Sequence, residues 1–167
     1  MDNKKRMMFV LDEDYYFVTI KILSVLKGLD CCDKKLVDYR KLAVIIEFIK
    51  EEKNMMLLKK ILNSGQLDLF ESERLLSIYC KSNVENALVK RVLFFLEKKG
   101  LVSMEKNNKF NCVDVGLNYN GKLEEIFTSD FIVNDFKKMK VFWEIQRIKT
   151  LKYETFIGKI FGDSEVS

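Results

Sequence analysis

The sequence predicts a mainly α-helical, α+β fold in a single domain. Proline is absent and only seven glycines occur in 167 residues, so long structureless linkers are excluded. Apolar residues recur at helical spacing along most of the chain, and the period changes once, after Gly100, to the alternation of a short β-ribbon. Apolar residues make up 48% and charged residues 32%, the balance of a globular chain with a buried core. The length suits one such core better than two. Three parts are expected: N-terminal helices over 14–62, a helix-helix-ribbon unit over 72–117 and C-terminal helices over 122–161.

"DYYFVTIKILSVLKGLD" predicts the first helix, with Asp14 as N-cap and Gly28 as its stop. It is apolar on nearly every side, which places it deep in the core or in an interface. "DYRKLAVIIEFIKEEK" predicts the second, capped by Asp38, with Leu42, Ile45, Ile46 and Ile49 on one face. "NMMLLKKIL" is a short helix closed by Ser64 and Gly65, and "SERLLSIYCKS", capped by Ser72, is another. Asn83 is placed to cap "VENALVKRVLFFLEKK", which Gly100 ends.

Strands follow in "LVSMEK" and "KFNCVDVGL", turning around Lys106-Asn107-Asn108-Lys109, where asparagines tolerate left-handed backbone. Val113, Val115 and Leu117 share one face. Phe110 and Cys112 fall on the opposite phase, which predicts a bulge or strong twist near the turn. A short helix is expected around Leu123 to Phe127 and a longer one from about Ile132. Three helices followed by a ribbon is the order of a winged helix, here with extra flanking helices.

Chemistry is sparse. The absence of histidine removes Ser-His and Cys-His nucleophile pairs and the HExxH metalloprotease. No GxxxxGK[ST] or GxGxxG loop occurs. The densest carboxylate cluster, Asp12-Glu13-Asp14, is explained by a helix start without invoking Mg²⁺. Cys31 and Cys32 are adjacent, and with Cys80 and Cys112 they form no CxxC pair, so reduced, mostly buried thiols are expected. No catalytic residue, metal or cofactor is expected, and a non-enzymatic binding module is the default. Near the N-terminus the apolar run from Met7 to Leu11 is interrupted by acids, so no signal peptide forms, and a cytoplasmic protein without a membrane partner is expected.

Two kinds of partner remain. The net charge of +4 is mild, but Ile132–Tyr153 carries six basic residues against Asp135 and Glu144, an excess equal to that of the whole chain. Lys137, Lys138 and Lys140 there, with Lys90 on the long helix and Lys106 and Lys109 on the ribbon, are the candidate nucleic-acid contacts. At 100° per residue, Val84, Leu88, Val92, Phe95 and Leu96 share one face of that helix. Ala87 and Phe94 flank it on one side, Val89 and Leu93 on the other. The polar arc holds only Asn86, Lys90 and Glu97, which is too neutral for a strong major-groove reader. Leu93 and Phe94 are therefore the candidate protein-docking residues. The stripe Phe136, Met139, Phe142, Trp143 and Ile145 is expected in a core or interface.

"YYFVTIKILSVL", "KKLVDYRKLAVIIEFI" and "VLFFLEKKGLVSMEKNNKFNCVDVGLN" resemble the small middle components of bacterial ABC-three-component systems, including Lamassu-type anti-phage defence. The resemblance is one of pattern and spans most of the chain. It implies an accessory subunit that accompanies an SMC/Rad50-like ATPase and an effector subunit, often a nuclease. ATP hydrolysis and DNA cleavage would then belong to those partners, and this chain would dock the ATPase and restrain the effector. The alternative from the DNA-binding class is a winged-helix transcription regulator or plasmid replication protein. Its mark would be an open basic recognition face.

Overall fold

A computed structural model describes residues 3–162, and the side chains from residue 14 onward except that of residue 131. Among these residues are seven helices and two strands: α1 Asn3–Gly28, α2 Arg40–Ile49, α3 Glu52–Leu62, α4 Leu69–Lys98, β1 Val102–Asn107, β2 Cys112–Leu117, α5 Gly121–Phe127, α6 Asp130–Phe142 and α7 Tyr153–Phe161. The fold is mainly helical with one small antiparallel ribbon.

α1 begins eleven residues before Asp14, which lies inside the helix and caps nothing. No glycine or proline interrupts residues 3–13, so a helix once nucleated propagates through Asp14. The side chains of Asp12 and Glu13 lie outside the described residues; Asp14 is exposed. α1 does end at Gly28, as expected, but Gly28 does not supply the left-handed stop. Asp30 takes the left-handed conformation (φ 53°), the Cys31 amide donates to Leu26 O and the Asp30 amide to Lys27 O, which is the Schellman pattern with Asp30 in the usual glycine place. Gly28 instead admits α6, because a Cβ there would lie 2.7 Å from Cγ of Met139.

α2 is buried from Lys41 through Ile49, all round rather than on one face, because α1, α3, α4, α6 and α7 surround it. Its N-cap position is Tyr39, without a side-chain cap bond. Asp38, one residue earlier and at φ 65°, still accepts from the Arg40 amide at 3.1 Å. It thus satisfies one of the free helix-start donors from outside the cap. α3 ends at a left-handed Ser64 (φ 58°).

The largest difference is α4. Ser72 and Asn83 cap nothing, since one helix of 30 residues runs through both. Its cap is Asp68, whose carboxylate accepts from the Glu71 amide at 2.8 Å while Glu71 accepts from the Asp68 amide at 2.9 Å. This capping box is written in the sequence as Asp68-Leu69-Phe70-Glu71. With no glycine or proline before Gly100, continuing the helix costs less than nucleating a second one, so the Asn83 preference is overridden. The C-terminus follows expectation: Gly100 has φ 72°, its amide donates to Glu97 O and that of Leu101 to Leu96 O.

β1 and β2 pair in continuous register from Val102↔Leu117 to Asn107↔Cys112, so neither a bulge nor the expected turn position is found. The loop is 108–111, Phe110 sits in it, and those four residues absorb the change of phase. Asn107 Oδ1 accepts from the Lys109 and Phe110 amides, and Asn111 is left-handed. The free edge of β2 is covered by the segment before α2: Leu36 bridges Val115, and the Tyr39 amide donates to Val113 O. The C-terminal part follows expectation in the short α5 and the longer α6, which begins at Asp130, and adds α7 after a run of turns. It closes the core: Ile132, Met139, Phe142, Ile145, Ile148, Phe156 and Ile160 are buried in the same cluster as α1 and α2.

Candidate docking and nucleic-acid surfaces

α4 is apolar on two opposite faces. The inner face buries Ile78, Val89, Val92, Leu93 and Leu96. The outer face exposes Leu69 (70%), Leu76 (49%), Val84 (79%) and Phe94 (47%), with Phe95 (52%) beside them. Leu93 is thus core at 0% exposure, and it leaves the candidate docking set; Phe94 remains. Val84 and Phe95, expected in the core face, point outward, and Asn86, expected on the polar arc, is half-buried. The observed core face is rotated by nearly a quarter turn from the expected one. The cause is the first half of α4, where Ile78 and Ser82 seat the helix against its neighbours and set its phase. A window that starts at Val84 does not contain that information.

The outer face is also more basic than expected. Lys90, Arg91 and Lys98 are exposed along the C-terminal half of α4, with Lys99 just past its end, against Glu97. Lys90 lies 6.0 Å from the Phe94 ring and Lys109 5.2 Å from that of Phe110, so both lay their stems along aromatic surface. Lys106 and Lys109 are exposed on the ribbon, where Glu105 is neutralised by Lys35. Arg40 borders the same shallow depression as Lys106 but is engaged: Asp38 accepts from its guanidinium, Glu154 lies 3.7 Å away, and the Asp38 bond holds the group above its ordinary pKa.

The three α6 lysines do not form one surface. Lys137 and Lys140 are exposed, whereas the Lys138 ammonium donates to Ile49 O at 2.9 Å and ties α6 to the end of α2. Of the C-terminal stripe, Met139, Phe142 and Ile145 are buried, Phe136 is half-buried, and Trp143 is 49% exposed with its indole N–H donating to Gly28 O. The cysteines are unpaired, but only Cys31 is buried. Cys32 and Cys80 are exposed and Cys112 is intermediate, a correction to the expectation of mostly buried thiols. Among the described residues no group of three or more acidic or thiol side chains is arranged to hold a metal ion, and no helix is long and apolar enough to cross a membrane.

No family model, no curated protein and no solved structure matches the chain.

Proposed function

We propose that this chain is a non-catalytic, winged-helix-like accessory subunit that works in the cytoplasm by docking another protein. The leading partner is an SMC/Rad50-like ATPase in an anti-phage or anti-plasmid complex whose effector nuclease the subunit helps to restrain. The observation that carries the docking reading is the outer face of α4. Val84 at 79% and Leu69 at 70% exposure are large apolar side chains on a well-formed helix, directly opposite its buried face. An apolar row of this length, rimmed by charge, marks an interaction site. The order α1, the Leu36 bridge, α2, α4, β1, β2 supports the winged-helix description, with α3 inserted and α5 to α7 added. The ATPase itself rests on the sequence resemblance, and the absence of a nucleotide loop agrees with ATP chemistry residing in a partner.

Co-expression with the products of the flanking genes tests this reading. We expect an SMC-like ATPase to co-purify. Val84→Glu and Phe94→Glu should each weaken the complex at least tenfold, because a large apolar anchor contributes about 1.5–3 kcal/mol when buried. Both positions are exposed, so circular dichroism and melting should stay near the parent's. A complex indifferent to both changes removes α4 from the interface.

A DNA-binding regulator is the second reading, favoured by the exposed Lys90, Arg91 and Lys98 beside the ribbon lysines. On the docking reading, duplex binding by the isolated chain is weak and sequence-independent. Replacing Lys90, Lys106 and Lys109 by Glu should lower the log–log salt slope by roughly two to three, near 0.9 per lost phosphate contact. Tight binding to one site at moderate salt, lost in that variant, establishes the regulator instead.

A further inference from the structure

The outer face of α4 has an internal symmetry. Leu69, Glu73, Leu76, Cys80, Val84, Ala87, Arg91 and Phe94 recur at intervals of three and four residues and fall within an arc of roughly 80°. All eight are exposed. Turning the helix end over end about a point near Lys81 and Ser82 lays this row onto itself, like on like. Leu69 then meets Phe94, Leu76 meets Ala87 and Cys80 meets Val84. The acidic member of the row, Glu73, meets the basic one, Arg91, and it does so twice. Neither Glu73 nor Arg91 forms an ion pair within its own chain among the described residues.

The flanks obey the same operation. In an antiparallel pair, the two-fold axis keeps each edge of one helix on the same side as that edge in its mate. Leu69, Leu76, Ala87 and Phe94 lie on one edge; Glu73, Val84 and Arg91 lie on the other. Leu69–Phe94, Leu76–Ala87 and Glu73–Arg91 therefore each fall on a common edge, Cys80 lies in the middle of the row beside Val84, and Phe70 and Phe95, both exposed beyond the second edge, face each other too. A row made to receive an unrelated helix needs no such self-complementarity. An isologous interface requires it, since one patch must serve both sides.

We propose that the outer face of α4 is a homodimer surface, on which two copies of this chain pair antiparallel with Glu73 of each copy opposite Arg91 of the other. The proposal rests on the reading of this face as a docking surface and makes a second copy the occupant of the α4 row, so that the ATPase engages the dimer and Val84 and Phe94 support that complex through the pairing. The 30 residues of α4 span about 45 Å and a helix is about 10–12 Å across, giving a footprint of roughly 500 Å² per copy. That lies at the lower end of specific interfaces, so the dimer should be reversible and of micromolar strength. The ribbon follows the C-terminus of α4, so the pair carries its two ribbons at opposite ends, the arrangement a two-fold partner engages.

The test uses charge reversal and sedimentation velocity on the full chain over a wide concentration range. The parent should dimerise. Glu73→Lys opposes like charges twice per dimer, as does Arg91→Glu, and each should weaken association by roughly tenfold or more. Mixed in equal amounts, the two variants restore both attractive pairs, and a mixed dimer of parental strength should form. Val84→Asp should be monomeric alone and in every mixture. Glu73, Val84 and Arg91 are all exposed, and unchanged circular dichroism excludes loss of fold. A parent that stays monomeric, or single variants that are not rescued by mixing, overturns the proposal. A monomer that still needs Val84 and Phe94 to hold the ATPase keeps the ATPase on this face and sinks the dimer; a dimer that binds no ATPase keeps the pairing and sinks the ATPase as partner.

Discussion

Replacing Lys41 with Met should stabilise the protein at pH 7 by about 2 kcal/mol. Lys41 is wholly buried on α2, and its ammonium has one hydrogen bond, to Ile148 O at 2.9 Å, with the Phe156 ring 5.9 Å away. Burial pushes its pKa down from 10.5 to about 8, against the pull of Asp38 and Asp114. That depression corresponds to about 3 kcal/mol of destabilisation whenever the folded state carries the charge. Met fills similar volume without the charge and leaves the Ile148 carbonyl unpaired, which offsets about 1 kcal/mol of the gain. The sign with pH follows from proton counts. Below pH 8 both states hold the proton and the cost is constant. Between pH 8 and 10.5 the folded state has released it and the unfolded state has not, so stability rises with pH. Two thiols act the other way higher up. Burial raises Cys31 from 9.0 to about 12 and Cys112 to about 11, so ionisation of the unfolded thiols lowers stability above pH 9. Both proteins share the thiol loss, so urea unfolding should show the parent gaining about 1 kcal/mol relative to Lys41→Met between pH 8 and 9. A Met variant that is less stable at pH 7 would show that the Ile148 bond outweighs the desolvation.

The second large effect lies between α1 and α6. Asp135, 2% exposed, accepts two bonds from Lys21 at 2.9 and 2.8 Å, and Lys21 is 14% exposed. Asp135→Ala should destabilise by about 3 kcal/mol, since it strands a mostly buried ammonium. The paired change Lys21→Met with Asp135→Leu should recover most of that loss, because the penalty is the unpaired charge and not the absence of an ion pair. If the double variant is as unstable as the single one, the site depends on packing geometry and not on charge. α6 also carries the exposed Lys137 and Lys140, so its detachment would remove those residues from any partner surface.

The ribbon and its entry were legible in the sequence because each is decided within a few residues. Gly100 takes a left-handed stop that few side chains tolerate, and Asn107 folds its own side chain over the loop. The Asp68–Glu71 capping box is equally local, yet the expected helix start is Ser72, whose residue type also suits a cap. Whether two short helices or one long one follow depends on propagation, and residues 69–98 contain nothing that stops it. Gly28 reads as a helix stop by type. Its purpose is contact with Met139, more than a hundred residues away, and no local pattern records that.

The docking surface shows the same division. That α4 has more apolar surface than one core face can use was determined by the sequence alone, and so was the absence of histidine and of a nucleotide loop. Which apolar residues go inward was not. Leu93 and Phe94 are adjacent, of similar hydrophobicity and about 100° apart on the helix, yet one is fully buried and the other 47% exposed. Similarly, Lys41 and Glu47 are charged residues of α2, and both are buried because five helices, α1, α3, α4, α6 and α7, close around it. Local sequence sets backbone conformation through caps, turns and propensity, which act over a few residues. The phase of a helix and the burial of its side chains are set by elements distant in sequence, and only the tertiary structure brings those together.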